Sequence, residues 1–255
     1  MPVKYSRIEE LALITLNRPE ALNALSVGVV KKIGEAIDKA AASDARALLI
    51  TGEGEKAFCA GADISEFMDR NIVEAFEAAE IGQNTFAKLD NLGIPSLAVI
   101  NGYALGGGLE LATACTLRVA TSNANLGVPE IKLGLIPGYG GTQRLPRLIG
   151  QVRALDMVMT GRMVGAEEAL AIGLINRIVE QPALDGAIEY AREFTSFSLP
   201  VLRYGRDAVM RANQSSLPEG LQIERDLNTL AFQGEDSTEG AKAFLEKRKP
   251  KFQDR

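Results

Sequence analysis

Histidine is absent from all 255 residues of this chain. That absence excludes a Ser-His-Asp or Cys-His nucleophile system built within the chain, and histidine-based zinc chemistry with it. Proton transfer near neutral pH is left to carboxylates, lysine, tyrosine or cysteine, each with a pKa set by its surroundings. Cysteine is scarce as well. Cys59 and Cys115 are too few for a disulfide framework and lack metal-ligand spacing. They read as small buried hydrophobes in a reduced, cytoplasmic protein. No apolar run is long enough to span a bilayer, and Met1-Pro2-Val3-Lys4-Tyr5 shows no apolar core of a secretory signal. Nucleotide fingerprints are missing too. There is no G-x-x-x-x-G-K-[ST], and the stretch from Gly138 to Gln143 lacks the third glycine of G-x-G-x-x-G. The formal net charge of −5 argues against nucleic-acid binding, while leaving room for a local basic patch that holds a small anion.

What is present suits a soluble globular protein with a sizeable core: 46% hydrophobic residues, and 24% charged residues of mixed sign. Residues 11–16 form a short apolar run rich in β-formers, followed by a turn at Asn17-Arg18-Pro19. Ser26 is placed to cap a helix running to about residue 42, with Val29, Val30, Ile33 and Ile37 as its apolar stripe. Residues 47–51 read as a buried strand, and 52–63 as a polar, glycine-rich loop. Asn71 is placed to cap a second helix reaching about residue 89, before a strand at 96–100, a helical stretch at 109–114 and a strand at 117–120. This β-α-β-α-β rhythm favours a parallel sheet with right-handed crossovers. From about residue 141 onward the pattern is mainly helical, with residues 175–179 the one convincing strand. Pro182, Pro200 and Pro218 punctuate successive helices near their starts. No internal repeat, low-complexity tract or linker interrupts the chain.

Three loops combine glycine with a strand-to-helix junction. In Ala60-Gly61-Ala62-Asp63-Ile64 small residues let a ligand approach the backbone, although a simple tight turn has the same composition. In Asn101 to Glu110, the glycines at 106, 107 and 108 expose N–H groups beside the positive end of a helix dipole. Such groups stabilise a developing oxyanion. Close helix packing also selects small residues, yet three glycines cost about 1 kcal/mol each in helix propensity, and packing alone seldom needs all of them. The third loop, residues 128–142, sets Glu130 in a mainly apolar stretch. Taken singly, Glu130 reads as a solvated carboxylate and Glu110 as a complement to the helix dipole.

Read together, AGADI, NGYALGGGLELA and PEIKLGLIPGYGGTQRL closely resemble the successive signatures of the crotonase, or enoyl-CoA hydratase/isomerase, family. LNRPEALNAL near the start and FLEKRKPKF near the end add two more matches in the expected order. The resemblance implies an α/β fold with a crotonase-type ββα spiral core carrying the acyl-CoA site, over residues 1–195. Residues 196–255 would form a C-terminal helical trimerisation region, in a homotrimer or homohexamer. It implies that the N–H groups of Ala62 and Gly107 bind the thioester oxygen, with Ala60, Gly61, Asp63, Ile64 and Gly106 lining the substrate site. Residues 64–81 would border the acyl tunnel.

By the same resemblance Glu110 mainly activates water and Glu130 mainly protonates C2, giving a (3S)-3-hydroxyacyl-CoA in fatty-acid or butanoate metabolism. Lys247 would contact a CoA phosphate, against the plainer reading of a solvated charge run. No metal, redox cofactor, membrane or nucleic acid is implied. Glutamates at both positions 110 and 130 fit hydratases. An enoyl-CoA isomerase, or a non-catalytic acyl-CoA- or RNA-binding protein on the same fold, stays open as an alternative. One departure stands out: after Cys115 many members have aspartate, whereas this chain has Thr116, which puts a structural contact in question more than the reaction.

Overall fold

The computed structural model describes residues 1–66 and 70–255. It opens with an antiparallel pair, β1 (Val3–Ile8) and β2 (Leu11–Leu16). The sequence reading misses β1 because VKYSRI is mostly polar and only one of its residues is fully buried, so no apolar run marks it. Helix α1 (Val27–Ala41) follows, and Ser26 caps it as expected, its hydroxyl accepting from Val29 N–H at 3.2 Å. Next come β3 (Ala47–Gly52) and β4 (Ala57–Cys59). The second of these corrects the reading of residues 52–63 as one loop: Ala57-Phe58-Cys59 is a buried strand too short to show a period. Helix α2 (Ile72–Asp90) carries the expected Asn71 cap, completed by Glu74 as a capping box.

The chain then repeats a strand, strand, helix order. β5 (Ser96–Ile100), β6 (Tyr103–Leu105) and α3 (Gly107–Ala114) make one turn of it. β7 (Leu117–Thr121), β8 (Asn125–Gly127), a 3-10 turn over Pro129–Leu133 and α4 (Gly141–Ile149) make the next. After α5 (Gln151–Thr160) come β9 (Met163–Gly165), α6 (Ala166–Ala171), β10 (Arg177–Val179) and α7 (Ala183–Thr195). The strand read at 175–179 is thus shorter, and it is joined in this half by β9, again three residues long.

The first strand of each repeat enters a six-stranded sheet in the order β1-β2-β3-β5-β7-β10, parallel from β2 onward. The second enters a four-stranded sheet in the order β4-β6-β8-β9, whose first three strands are parallel. This is the ββα spiral that the resemblance implied. β3 and β5 are buried at every residue, which is why they read as continuous apolar runs rather than alternating ones. Thr116 does make a structural contact: its Oγ1 accepts from Ser96 N–H at 3.2 Å while Ser96 Oγ accepts from Thr116 N–H at 2.9 Å. That exchange fastens the start of β5 to the start of β7.

The chain divides into two units, Met1–Glu189 and Tyr190–Arg255. The second contains the end of α7 followed by α8 (Leu199–Arg211), α9 (Leu217–Gln233) and α10 (Glu235–Leu245). Pro200 and Pro218 stand in the first turns of α8 and α9, where proline costs no helical hydrogen bond. Among the described residues no helix is long and apolar enough to cross a membrane.

Candidate active site

Three parallel strands of the small sheet aim the chain at one place. Ala62 lies just past β4, Gly107 just past β6 and Glu130 just past β8. The loop after β4 is fixed by a bridge between Leu25 and Ala62, in which Leu25 N–H donates to Gly61 O at 2.8 Å and Asp63 N–H to Leu25 O at 2.9 Å. Ala60 N–H donates to Leu22 O at 3.0 Å. These bonds use the peptide groups around Ala62 and leave its own N–H without a protein partner among the described residues. Gly61 lies against the next repeat: a Cβ there would come within 3.2 Å of Leu105 O.

The glycines at 106–108 each meet a different neighbour. Gly106 precedes α3 with φ 50°, and a Cβ on it would sit 2.7 Å from Glu130 Oε1. A Cβ on Gly108 would sit 2.1 Å from Cys59 O, so that backbone approach admits glycine alone. Gly107 opens the helix, where N–H groups lack an intrahelical acceptor, and its N–H has no protein partner among the described residues. Two unclaimed peptide donors, Ala62 and Gly107, therefore stand on adjoining loops.

Glu110 lies one turn into α3 and is 2% exposed. Its Oε1 accepts from Tyr139 N–H at 2.8 Å and from Gly141 N–H at 2.7 Å. Burial pushes its carboxyl above the usual range, against the pull of those two N–H groups and of the Arg144 guanidinium. Glu130 sits in the 3-10 turn with Oε2 buried and, among the described residues, without a hydrogen-bond partner. Burial, reinforced by the neighbouring charge of Glu110, raises its pKa to about 7. Both thiols, Cys59 and Cys115, are pushed up to about 12 by burial, which removes them from acid/base work near neutrality.

Among the other residues singled out from sequence, Asp63 is held by Arg18, with the guanidinium donating to Oδ2 at 3.1 and 3.2 Å, and by Ser65 Oγ at 2.7 Å. Those partners keep its carboxyl below the usual range, the Ser65 bond most of all. Ile64 is exposed at the start of a 3-10 turn, Ile64–Glu66. Of the segment expected to border an acyl tunnel, residues 67–69 lie outside the described residues. Lys247 belongs to the second unit, exposed, with φ 55° just after α10. No cluster of metal-ligating side chains occurs among the described residues.

The sequence reading does not identify the groups that hold Glu110. Tyr139 and Gly141 act through peptide N–H groups, which no side-chain pattern announces. Arg144 pairs with Asp90 at 2.6 Å across 54 positions, a separation with no local signal.

The family described as enoyl-CoA hydratase/isomerase matches residues 7–255. A probable enoyl-CoA hydratase of Mycobacterium bovis is 44% identical over 252 residues, covering 98% of this chain and 97% of its own. The short-chain-enoyl-CoA hydratase of Clostridium acetobutylicum is 40% identical over 242 residues, covering 94% and 93%. The crystal structure of an enoyl-CoA hydratase from Bacillus anthracis superposes with a TM-score of 0.95 at 36% identity, over 100% of both chains.

Proposed function

The chain belongs to the enoyl-CoA hydratase/isomerase family, and on that footing we propose that the paired glutamates hydrate the 2,3-double bond of a trans-2-enoyl-CoA. One observation carries the reading. Two electrostatically coupled, buried carboxyls differ in their surroundings, Glu110 with one oxygen fixed by two N–H donors and Glu130 with a pKa of about 7. A base and an acid are thereby set side by side.

In this mechanism the thioester oxygen lies on the N–H groups of Ala62 and Gly107. Water is held between the carboxyls, with Glu110 Oε2 as acceptor. Its oxygen bonds to C3 as its proton passes to Glu110. The π electrons move toward C2 and the thioester oxygen, where the two N–H donors stabilise the developing enolate, each worth roughly a factor of 10²–10³. Glu130 delivers its proton to C2, and proton exchange with solvent returns both groups to their starting states. The product is a 3-hydroxyacyl-CoA, of 3S configuration in the family pattern.

Crotonyl-CoA is the first substrate to test, because the C. acetobutylicum relative is named for short chains. Loss of the conjugated enoyl absorbance with formation of 3-hydroxybutyryl-CoA supports the reading. Products that keep their unsaturation would replace it with isomerisation. The reading includes a homotrimer or homohexamer acting in the cytoplasm without a metal. Exposed Leu217, Phe232, Phe244 and Leu245 on the C-terminal helices support the assembly. A stable monomer in sedimentation at micromolar concentration, or activity lost on chelation and restored by one metal, would contradict those parts.

A further inference from the structure

Glu110 does not hold itself in place. Its Oε1 takes its hydrogen bonds from Tyr139, in the loop before α4, and from Gly141, the first residue of α4, and one face of α2 holds that loop. Gly82, Phe86 and Asp90 recur at a spacing of four along α2, which stacks them on one face. Gly82 lets the Tyr139 ring approach so closely that a Cβ there would lie 2.2 Å from it. Phe86 meets the same ring edge to face at 5.6 Å. Gln83 donates from Nε2 to Gly138 O at 2.9 Å.

Asp90 ends this row and binds Arg144 Nη2 at 2.6 Å, while Arg144 Nη1 donates to Tyr139 O at 3.2 Å. The Tyr139 residue is therefore gripped at both ends, its carbonyl by Arg144 and its N–H by Glu110. Gly141 completes the grip, since a Cβ there would come within 3.1 Å of Glu110 Cγ and Oε1. The guanidinium and the aspartate are partly buried, at 19% and 34% side-chain exposure, so water screens the pair only in part.

We propose that Arg144, tethered by Asp90, is the positioning residue for Glu110, aiming the Tyr139 and Gly141 N–H groups at Oε1 so that Oε2 faces the water. The inference rests on Glu110 being the base that activates water. Among the described residues the charged and titratable groups facing Glu110 are Arg144 on α4, Glu130 on the 3-10 turn and the Tyr139 phenol. Of these only Arg144 is a cation, so removing it raises the pKa of Glu110.

The test compares the wild-type enzyme with Arg144→Gln, Arg144→Lys and Asp90→Asn. Two readouts are taken: the pH profile of crotonyl-CoA hydration, and the carboxyl ¹³C titration of Glu110, assigned by its loss in Glu110→Gln. Arg144→Gln is expected to lower kcat by about 10- to 100-fold with KM little changed. It should also move the acidic limb and the Glu110 titration up together by about one pH unit. Arg144→Lys, which keeps the charge, should bring the titration back toward wild type. Asp90→Asn should lower kcat with KM retained, and an unchanged kcat removes Asp90 from the assignment. A Glu110 titration that stays in place in a folded Arg144→Gln enzyme overturns the proposal. If the titration moves but the wild type hydrates nothing, the electrostatic contact stands and the assignment of Glu110 as water-activating base is what fails.

Discussion

Glu110 and Glu130 are held in different ways: two peptide N–H groups fix one oxygen of Glu110, whereas a buried oxygen of Glu130 has no donor among the described residues. Burial raises the pKa of both, but at Glu110 the two N–H groups and Arg144 oppose that rise in favour of the anion, whereas at Glu130 the charge of Glu110 adds to it, so the surroundings rather than the residue type divide their roles. A carboxyl with a buried, unpartnered oxygen is costly as an anion, and that cost keeps its proton available near pH 7.

Replacing either glutamate by glutamine keeps size and removes proton transfer. Glu110→Gln and Glu130→Gln are each expected to lower hydration kcat by about 10²–10⁴, with substrate affinity little changed. The two groups share one water, so the double variant should lose less than the product of the single losses. Steady-state kinetics on all three variants decides this, and a fully multiplicative loss would rule out the shared water.

The pH profile follows from the same pair. Glu130 must be protonated to donate, so kcat/KM falls as pH rises through about 7. Glu110 must be ionised to accept, which sets an acidic limb above the ordinary carboxylate value of 4.5. The two limbs belong to the pair as macroscopic values, and Glu130→Gln should abolish the basic one. A basic limb that survives this substitution would assign it to another group.

Stability should depend on pH through Glu130. Its folded-state pKa of about 7 exceeds the ordinary 4.5, so the folded protein binds this proton more tightly than the unfolded chain does. Stability from this group is full below the ordinary value and is lost as pH rises toward the folded value. At about 1.4 kcal/mol per pKa unit the loss is at most about 3 kcal/mol, less where water reaches the carboxyl. Thermal melts should show Glu130→Gln nearly matching the wild type at pH 4 and exceeding it at pH 8. An equal difference at both pH values would show that the carboxyl's charge is not the cause.

Neighbouring glycines should fail differently. Gly108→Ala drives a Cβ to 2.1 Å from a backbone carbonyl, and is expected to destabilise the fold by about 1–3 kcal/mol or more. Gly106→Ala meets the movable end of Glu130 at 2.7 Å and a strained φ of 50°. It should fold with a lower Tm and lose kcat chiefly by displacing that carboxyl. Melting curves and kcat for the two variants separate the outcomes.

The long elements were legible because their signals are local. Ser26 and Asn71 announce their helices through hydrogen-bonding side chains, and both cap as the sequence indicates. Strands β4, β6, β8 and β9 were not legible, because three residues cannot display a period and the pairing partners lie far along the chain. Both glutamates could be picked out by motif. Their different environments could not, because those depend on the Tyr139 and Gly141 peptides and on an ion pair with Asp90.

The delivery of Ala62, Gly107 and Glu130 by three side-by-side strand ends makes chain length, rather than side-chain chemistry, the most sensitive variable in the molecule. Each component follows its strand by only two or three residues, too few to absorb an extra one. A single inserted residue within 59–62, 105–107 or 127–130 would turn a peptide group or carboxyl away from the common space while leaving every functional residue in the sequence. An insertion in the turn between β1 and β2, outside these segments, carries no such penalty. Loop-length variation between otherwise similar chains is therefore informative at those three short segments, where it marks loss of the site even when all the motif residues survive.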